Sequence, residues 1–340
     1  MHILIIYTGG TIGMKEDPAT GQLRPFDFTQ IEEEVPELKK SGFEMSTISF
    51  DPIDSSDIRP DFWVRIAETV RDNYPHYDGF VVLHGTDTMA YSASMLSFMF
   101  ENLQKPVIFT GSQLPIGSLR TDGKENLITA LQIAAARREG DKPMAPEVCI
   151  YFDSKLLRGN RTTKFSAEHF NAFNSFNYPP LAESGIHLRF NQALINEASG
   201  EDEKFAVHTD LNTDTGVLKI FPGMNQSTVN SVLRSQGLRS VIIETFGSGN
   251  APTFPWFIDA IADAVKRGII ILNISQCKRG CVDPDKYVTG SMLKELGVVP
   301  GNDLTFEAGL TKLFYLQGKY LDNNEVVTRI NTSIRGEIST

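Results

Sequence analysis

Apolar, largely β-branched runs at 2–7, 79–83, 106–110 and 147–152 alternate with stretches of helical periodicity, the pattern of a parallel sheet joined by crossover helices. The stretch 61–74 opens near Asp61, places Phe62, Ile66 and Val70 four residues apart and carries its charges elsewhere. This spacing predicts a helix with one face on the sheet. Further helices are predicted over 90–103 and 124–138, the second closing on Arg137, Arg138 and Gly140, residue types suited to a helix C-terminus. From 191 to 214 the chain turns polar, through Asn191, Asn196, Ser199 to Glu203 and Asn212 onward, without sustained apolar periodicity. Alternation resumes with strand 217–221, helix 226–236, strand 240–246, helix 255–267 and strand 269–274, followed by two more helices. The expected fold is α/β in two domains: a larger N-terminal parallel-sheet domain over 1–190, a linker over 191–214 and a smaller α/β domain over 215–340.

Composition agrees with two folded domains. A chain of 340 residues exceeds the size at which one core keeps growing. With 41% hydrophobic and 22% charged residues, it has the make-up of an ordinary globular protein. The formal net charge of -10 argues against nucleic acid or an anionic membrane surface as partner, because phosphate contacts need clustered Lys and Arg. The acidic run Glu32 to Glu34 reads as a solvated helix face. Three cysteines give no disulfide framework, and Met1 leads directly into the strand-like 2–7, so a cytoplasmic protein without a signal peptide is expected. No apolar stretch approaches the roughly 20 residues needed to cross a bilayer. Cys277 and Cys281, spaced C-x3-C without a second pair or a nearby His, predict no metal site.

In an open parallel sheet, ligands bind beyond the carboxyl ends of the strands. Two turns there stand out. Thr8-Gly9-Gly10-Thr11-Ile12-Gly13 follows the first strand; its paired glycines permit a tight turn whose amide groups can face an anion or oxyanion. The spacing is not the G-x-G-x-x-G of a dinucleotide site. His84-Gly85-Thr86-Asp87-Thr88 follows the run 79–83 and sets hydroxyls beside a carboxylate at the same edge. Taken singly, each reads first as a plain structural turn. A third piece, Arg158 to Lys164, follows strand 147–152 and offers a lysine; the competing reading is a solvated basic loop. Lysine acts as a base only where burial or a nearby cation such as Arg161 lowers its pKa, and a threonine alcohol is a poor nucleophile until a neighbouring base takes its proton.

Together and in this order, the three pieces resemble the asparaginase/glutaminase family, in the versions of its bacterial type I, cytoplasmic branch. The resemblance spans nearly the whole chain and is carried by TGGTIG at 8–13, DSSD at 54–57, HGTDTM at 84–89, TGSQLP at 110–115, RGNRTTK at 158–164 and GSGNAP at 247–252. It implies hydrolysis of L-asparagine to L-aspartate and ammonia at a double-threonine site. Thr11 would attack the carboxamide and form an acyl-enzyme; Thr86, Asp87 and Lys164 match the second group, with Lys164 polarising Thr86 and Asp87 holding the α-ammonium of the substrate and orienting the lysine. Ser55 and Ser56 match positions that bind the α-carboxylate. The resemblance further implies no cofactor and no metal, and a homo-oligomer, dimer or tetramer, whose sites are completed by a neighbour's Asn250. His84 is expected to be structural.

Two departures and two rival readings qualify this. Relatives usually place a tyrosine in the loop after the first threonine, but Met14 to Phe28 contains none, and Gln22 or Leu23 stands near that place. Some type I relatives are regulated by asparagine near the cysteine matched by Cys277; Glu244 stands where an arginine often precedes the GSGNAP turn, so allosteric control and a merely buried Cys277 remain alternative readings. The rival activities are a dual glutaminase-asparaginase, differing by one methylene in the pocket, and a non-catalytic amino-acid sensor, against which the retained threonines and lysine argue.

Overall fold

The computed structural model describes residues 1–16, 20–21, 23–25, 31–197, 203–286 and 288–339. They form two compact units, Met1–Thr209 and Asp210–Thr340. Gln22 and Pro18 of the loop after the first threonine, and Ser199 to Asp202 of the polar stretch, lie outside the described residues.

In the first unit the alternation runs β1 (His2–Gly9), β2 (Glu44–Ile53), α1 (Pro60–Asn73), β3 (Gly79–Leu83), α2 (Met89–Met99), β4 (Val107–Thr110), α3 (Gly123–Ala135) and β5 (Val148–Phe152). Strands β6 (Lys155–Arg158), β9 (Ala182–Ser184) and β10 (Leu188–Phe190) extend the sheet, and β7 (Thr163–Lys164) with β8 (Phe173–Asn174) forms a separate antiparallel hairpin between them. The eight-stranded sheet has the order β10-β9-β6-β5-β4-β3-β1-β2. It is parallel from β2 to β5 and antiparallel beyond. Ile3, Ile5, Tyr7, Val81, Leu83 and Ile108 are fully or almost fully buried and pack with Leu127, Leu131 and Ala134 of α3. Strands covered on both faces need an unbroken apolar run, which is why these are the strands the sequence displays.

The differences from the expected elements have local causes. The buried stripe of α1 is Trp63, Ile66, Ala67 and Val70, while Phe62 is half-buried and meets Phe50 edge-on. Helix α3 stops at Ala135 rather than 138, because Arg137 folds back to donate to the carbonyls of Ala134 and Ala136 and to Asp78 O. Arg137–Arg138 then pairs with Lys142–Pro143, and Gly140 takes the positive φ of that turn at 77°.

The second unit is a four-stranded parallel sheet, β11 (Thr215–Lys219), β12 (Ser240–Thr245), β13 (Ile270–Ser275) and β14 (Val299–Pro300). Helices α4 (Gln226–Leu233) and α5 (Pro255–Lys266) close its core through Val229, Leu233, Phe257 and Ile261. Three helices follow β13 where two were expected: α6 (Val288–Glu295), α7 (Phe306–Lys319) and α8 (Asn323–Ile330). Lys312 of α7 and Glu337 form an ion pair at 2.5 Å with both side chains fully buried, and Lys312 also donates to the carbonyls of Ile330 and Thr332. The pair pins the end of the chain to the unit. Among the described residues, no helix is long and apolar enough to cross a membrane.

Candidate active site

Thr11, Ser55, Ser56, Thr86 and Asp87 sit on turns that follow β1, β2 and β3, and glycines set how closely those turns approach. Gly10 has φ of 86°, and a Cβ on it would lie 2.7 Å from both the Cα and N of Gly85. A side chain is therefore excluded twice over, by conformation and by space. Gly9 has φ of 122°, and a Cβ there would run into the backbone of Ile53, just before the DSSD turn. A Cβ on Gly85 would stand 2.6 Å from Ser55 Oγ. The TGGTIG turn thus lies backbone on backbone against the HGTDTM turn and the end of β2, and the HGTDTM turn lies against the Ser55 side chain. Beneath them, the phenol of Tyr7 fills the space a side chain at Gly13 would need; burial raises its pKa to about 12.

Thr11 opens a single 3-10 turn, Thr11–Gly13, directly after Gly10, and is half-buried. Ser55 and Ser56 open another, Ser55–Asp57, capped by Asp54. Ser55 is buried, and its carbonyl accepts from Thr88 Oγ1 at 2.7 Å. Both the N–H and the hydroxyl of Ser56 donate to Asp54 Oδ1 at 2.8 Å, and these hydrogen bonds, the backbone one first, hold the Asp54 carboxyl below its ordinary pKa.

Lys164 closes the arrangement from β7. Its ammonium donates to Thr86 Oγ1 at 2.7 Å and to Asp87 Oδ1 at 2.7 Å. The Lys164 side chain is 17% exposed and that of Asp87 66%; an ion pair so open to water adds little to stability. Its effect is positional: it aims the lysine at a threonine oxygen and leaves the carboxylate accessible to a second cation. Arg161, named as a cation that could act on Lys164, is buried, with its guanidinium over the Tyr178 ring at 5.1 Å.

Gln113, in the TGSQLP turn, carries no role in the sequence reading yet touches this group. Thr86 Oγ1 donates to Gln113 Oε1 at 3.3 Å. A neutral amide in a turn gives no sequence signal, so only the tertiary pairing reveals it.

His84 lies at the centre of these turns but faces away from the chemistry. It is fully buried, with Nδ1 2.7 Å from Gly85 O and Nε2 2.8 Å from Ser92 Oγ. Because Trp63 Nε1 donates to the same Ser92 oxygen at 2.8 Å, the serine proton is free for His84 Nε2, and Nδ1–H donates to the Gly85 carbonyl. This is a neutral imidazole that braces the turn. Burial lowers its pKa from 6.5 to about 4. Between those values the unfolded chain holds the proton and the folded chain does not, so His84 contributes fully above 6.5, and its contribution, roughly 3 kcal/mol, is lost as the pH falls towards 4. Urea unfolding at pH 7 and pH 4.5 is expected to show a larger acid loss for the wild type than for a His84→Gln chain. Equal losses would show that the histidine is not the titrating group.

Asn250 belongs to the second unit. It ends a tight turn after β12, in which its N–H donates to Phe246 O at 2.8 Å and its carbonyl accepts from Phe246 N at 3.0 Å. Cys277, buried in one of the two alternative readings, is exposed, as is Cys281; the backbone of 276 leaves the end of β13, where Gln276 N donates to Thr245 O, and carries the cysteines away from the core.

Comparison with known proteins places this two-unit α/β chain among the amidohydrolases and names the family. Residues 2–196 match the model described as asparaginase, N-terminal, and residues 215–329 match the glutaminase/asparaginase C-terminal domain. The chain belongs to the asparaginase/glutaminase family. It is 42% identical to L-asparaginase 1 of Escherichia coli (strain K12) over 99% of this chain and 98% of that one. The crystal structure of L-asparaginase I from Vibrio cholerae O1 biovar eltor str. N16961 matches with a TM-score of 0.89 at 40% identity, over 100% of this chain and 99% of that one. The thermostable L-asparaginase from Thermococcus kodakarensis matches with a TM-score of 0.90 at 30% identity, over the full length of both.

Proposed function

We propose that this protein is a type I L-asparaginase acting in the cytoplasm, which hydrolyses L-asparagine to L-aspartate and ammonia. One observation carries the reading: the Lys164 ammonium bonded at once to Thr86 Oγ1 and Asp87 Oδ1, beside a glycine turn that begins with Thr11. The similarity to enzymes named L-asparaginase supports the substrate.

In this reading Thr11 Oγ attacks the side-chain carboxamide carbon, and the carbonyl oxygen becomes an oxyanion. Backbone N–H groups of the Gly10-Thr11 turn donate to it, each worth roughly 3 kcal/mol. Collapse expels ammonia once its nitrogen has gained a proton, leaving a β-aspartyl ester on Thr11, which water hydrolyses to aspartate and free threonine. The proton that the Thr11 hydroxyl gives up on attack is the one the leaving nitrogen gains, carried between them by the Lys164–Thr86 pair, and the same pair takes a proton from the attacking water and returns it to Thr11 in the second half. Asp87 takes the α-ammonium on its exposed carboxylate. Ser55 and Ser56 take the α-carboxylate, the latter in competition with Asp54 for its two donors. Thr11, Thr86, Lys164 and the turn amides supply the whole chemistry, so no metal or cofactor is required. The protein is a homo-oligomer, dimer or tetramer, in which a neighbour's Asn250 completes each site.

Ammonia release from asparagine and from glutamine tests the reading. Asparagine is expected to be favoured by about tenfold or more in kcat/KM, within the 1–3 kcal/mol that one extra methylene commands. Comparable ratios would make the protein a dual glutaminase-asparaginase, and binding without ammonia release would make it a sensor.

A further inference from the structure

Thr86 is hydrogen-bonded on two sides, and the second side has a direction. Gln113 Nε2 donates to the His169 carbonyl at 3.1 Å. A carbonyl only accepts, so the amide is fixed with Oε1 towards Thr86, and Thr86 must be the donor in the 3.3 Å contact. The threonine hydroxyl therefore points its proton at Gln113 and turns a lone pair to the Lys164 ammonium.

The glutamine is itself held. Its N–H donates to both oxygens of Asp122, at 3.1 and 2.9 Å, and the neighbouring Leu114 N–H joins them at 3.1 Å. Asp122 also accepts from Asn126 Nδ2, which bonds Gly111 O at 2.9 Å. Its partner loop is ordered too: the N–H groups of Glu168 and His169 donate to Ser166 Oγ, and Phe165 N–H donates to Ala172 O, closing the hairpin of β7 and β8. This is the hairpin that carries Lys164. Gln113 thus joins the Thr86 hydroxyl to the element that delivers the lysine.

We propose that Gln113 is a positioning residue for the reaction: by accepting from Thr86 it fixes the rotamer of that hydroxyl with a lone pair turned to the Lys164 ammonium, so that the threonine oxygen and the lysine are already held together when the substrate arrives. The inference rests on the catalytic reading of Thr86 and Lys164. A donor on both sides of Thr86 would turn its proton elsewhere, and an apolar side chain at 113 would let the hydroxyl rotate. The cost falls on the chemical step, because Gln113 holds a group that acts in the transition state and not one that binds the ground state.

Steady-state kinetics with asparagine on Gln113→Met, Gln113→Glu and Lys164→Met test this. Gln113→Met removes the acceptor at similar size and is expected to lower kcat about tenfold, with KM changed less than about threefold. Gln113→Glu keeps an acceptor for Thr86 but gives up the donor to the His169 carbonyl, and is expected to recover part of kcat, to about threefold below wild type, with KM again little changed. If Gln113→Met keeps full kcat, or if both Gln113 variants change KM alone, the positioning role is overturned while the loss in Lys164→Met stands. If Lys164→Met is itself fully active, the underlying reading of the site fails, which is a different result.

Discussion

A Lys164→Met chain is expected to fold normally and to lose about a thousandfold in kcat, within the 100- to 10,000-fold range for removal of a positioned proton-transfer group. The side chain is 17% exposed and its ion pair with Asp87 is largely solvated, so the fold depends on it little. Its two 2.7 Å contacts are with Thr86 and Asp87, and methionine, similar in length, offers neither a donor nor a charge. Thr86→Val, which keeps the shape and removes the hydroxyl, is expected to match it. The double variant should be no worse than either single one, because groups that act as a unit fail as a unit. Stopped assays of ammonia release with circular dichroism as a folding control measure this. A Lys164→Met enzyme within about tenfold of wild type would remove the lysine from the mechanism.

Mixed oligomers are expected to recover activity that neither parent has. Asn250 lies in a turn at the carboxyl end of β12, and its amide can donate to a carboxylate or accept from an ammonium. If a neighbour supplies it, pure Thr11→Ala and pure Asn250→Ala oligomers each have every site damaged. A mixed dimer holds one site with both defects and one with neither. Co-refolding equal amounts of the two chains should restore a substantial part of the wild-type rate per intact site. Mixed dimers isolated by paired affinity tags and still inactive would show that Asn250 acts within its own chain or plays no part.

The parallel heart of the fold was legible because β1, β3, β4 and β5 are buried on both faces and must be written as apolar runs. Strand β2 escaped notice for the converse reason: it forms the sheet edge, and of Glu44–Ile53 only Phe50 is buried. The antiparallel strands β6, β9 and β10 are three or four residues long, too short for alternation to declare itself. Helix α3 was read too long because Arg137 looks like a basic last turn, whereas its guanidinium reaches back to cap the carbonyls from outside the helix.

The site was legible as motifs, since glycines that admit another backbone and hydroxyls beside a carboxylate are unusual at strand ends. Their closeness was not. That Gly10 meets Gly85, that Lys164 crosses from a hairpin 77 residues beyond Asp87, and that Gln113 accepts a hydrogen bond from Thr86 are facts of packing. His84 illustrates the limit from the other side. Its residue type suggests a base, and only the Ser92 and Trp63 contacts show why it stays neutral and turned inward.

The central claim is the covalent one, that Thr11 becomes a β-aspartyl ester, and a rapid acid quench of enzyme with asparagine in the first turnover tests it most directly. Intact and peptide mass spectrometry of the quenched protein should find one aspartyl group on the peptide that contains Thr11, absent from a Thr11→Ala chain that still folds and binds asparagine. A Thr11→Ala enzyme that keeps releasing ammonia, or an aspartyl group found on Thr86 instead, would contradict the assignment.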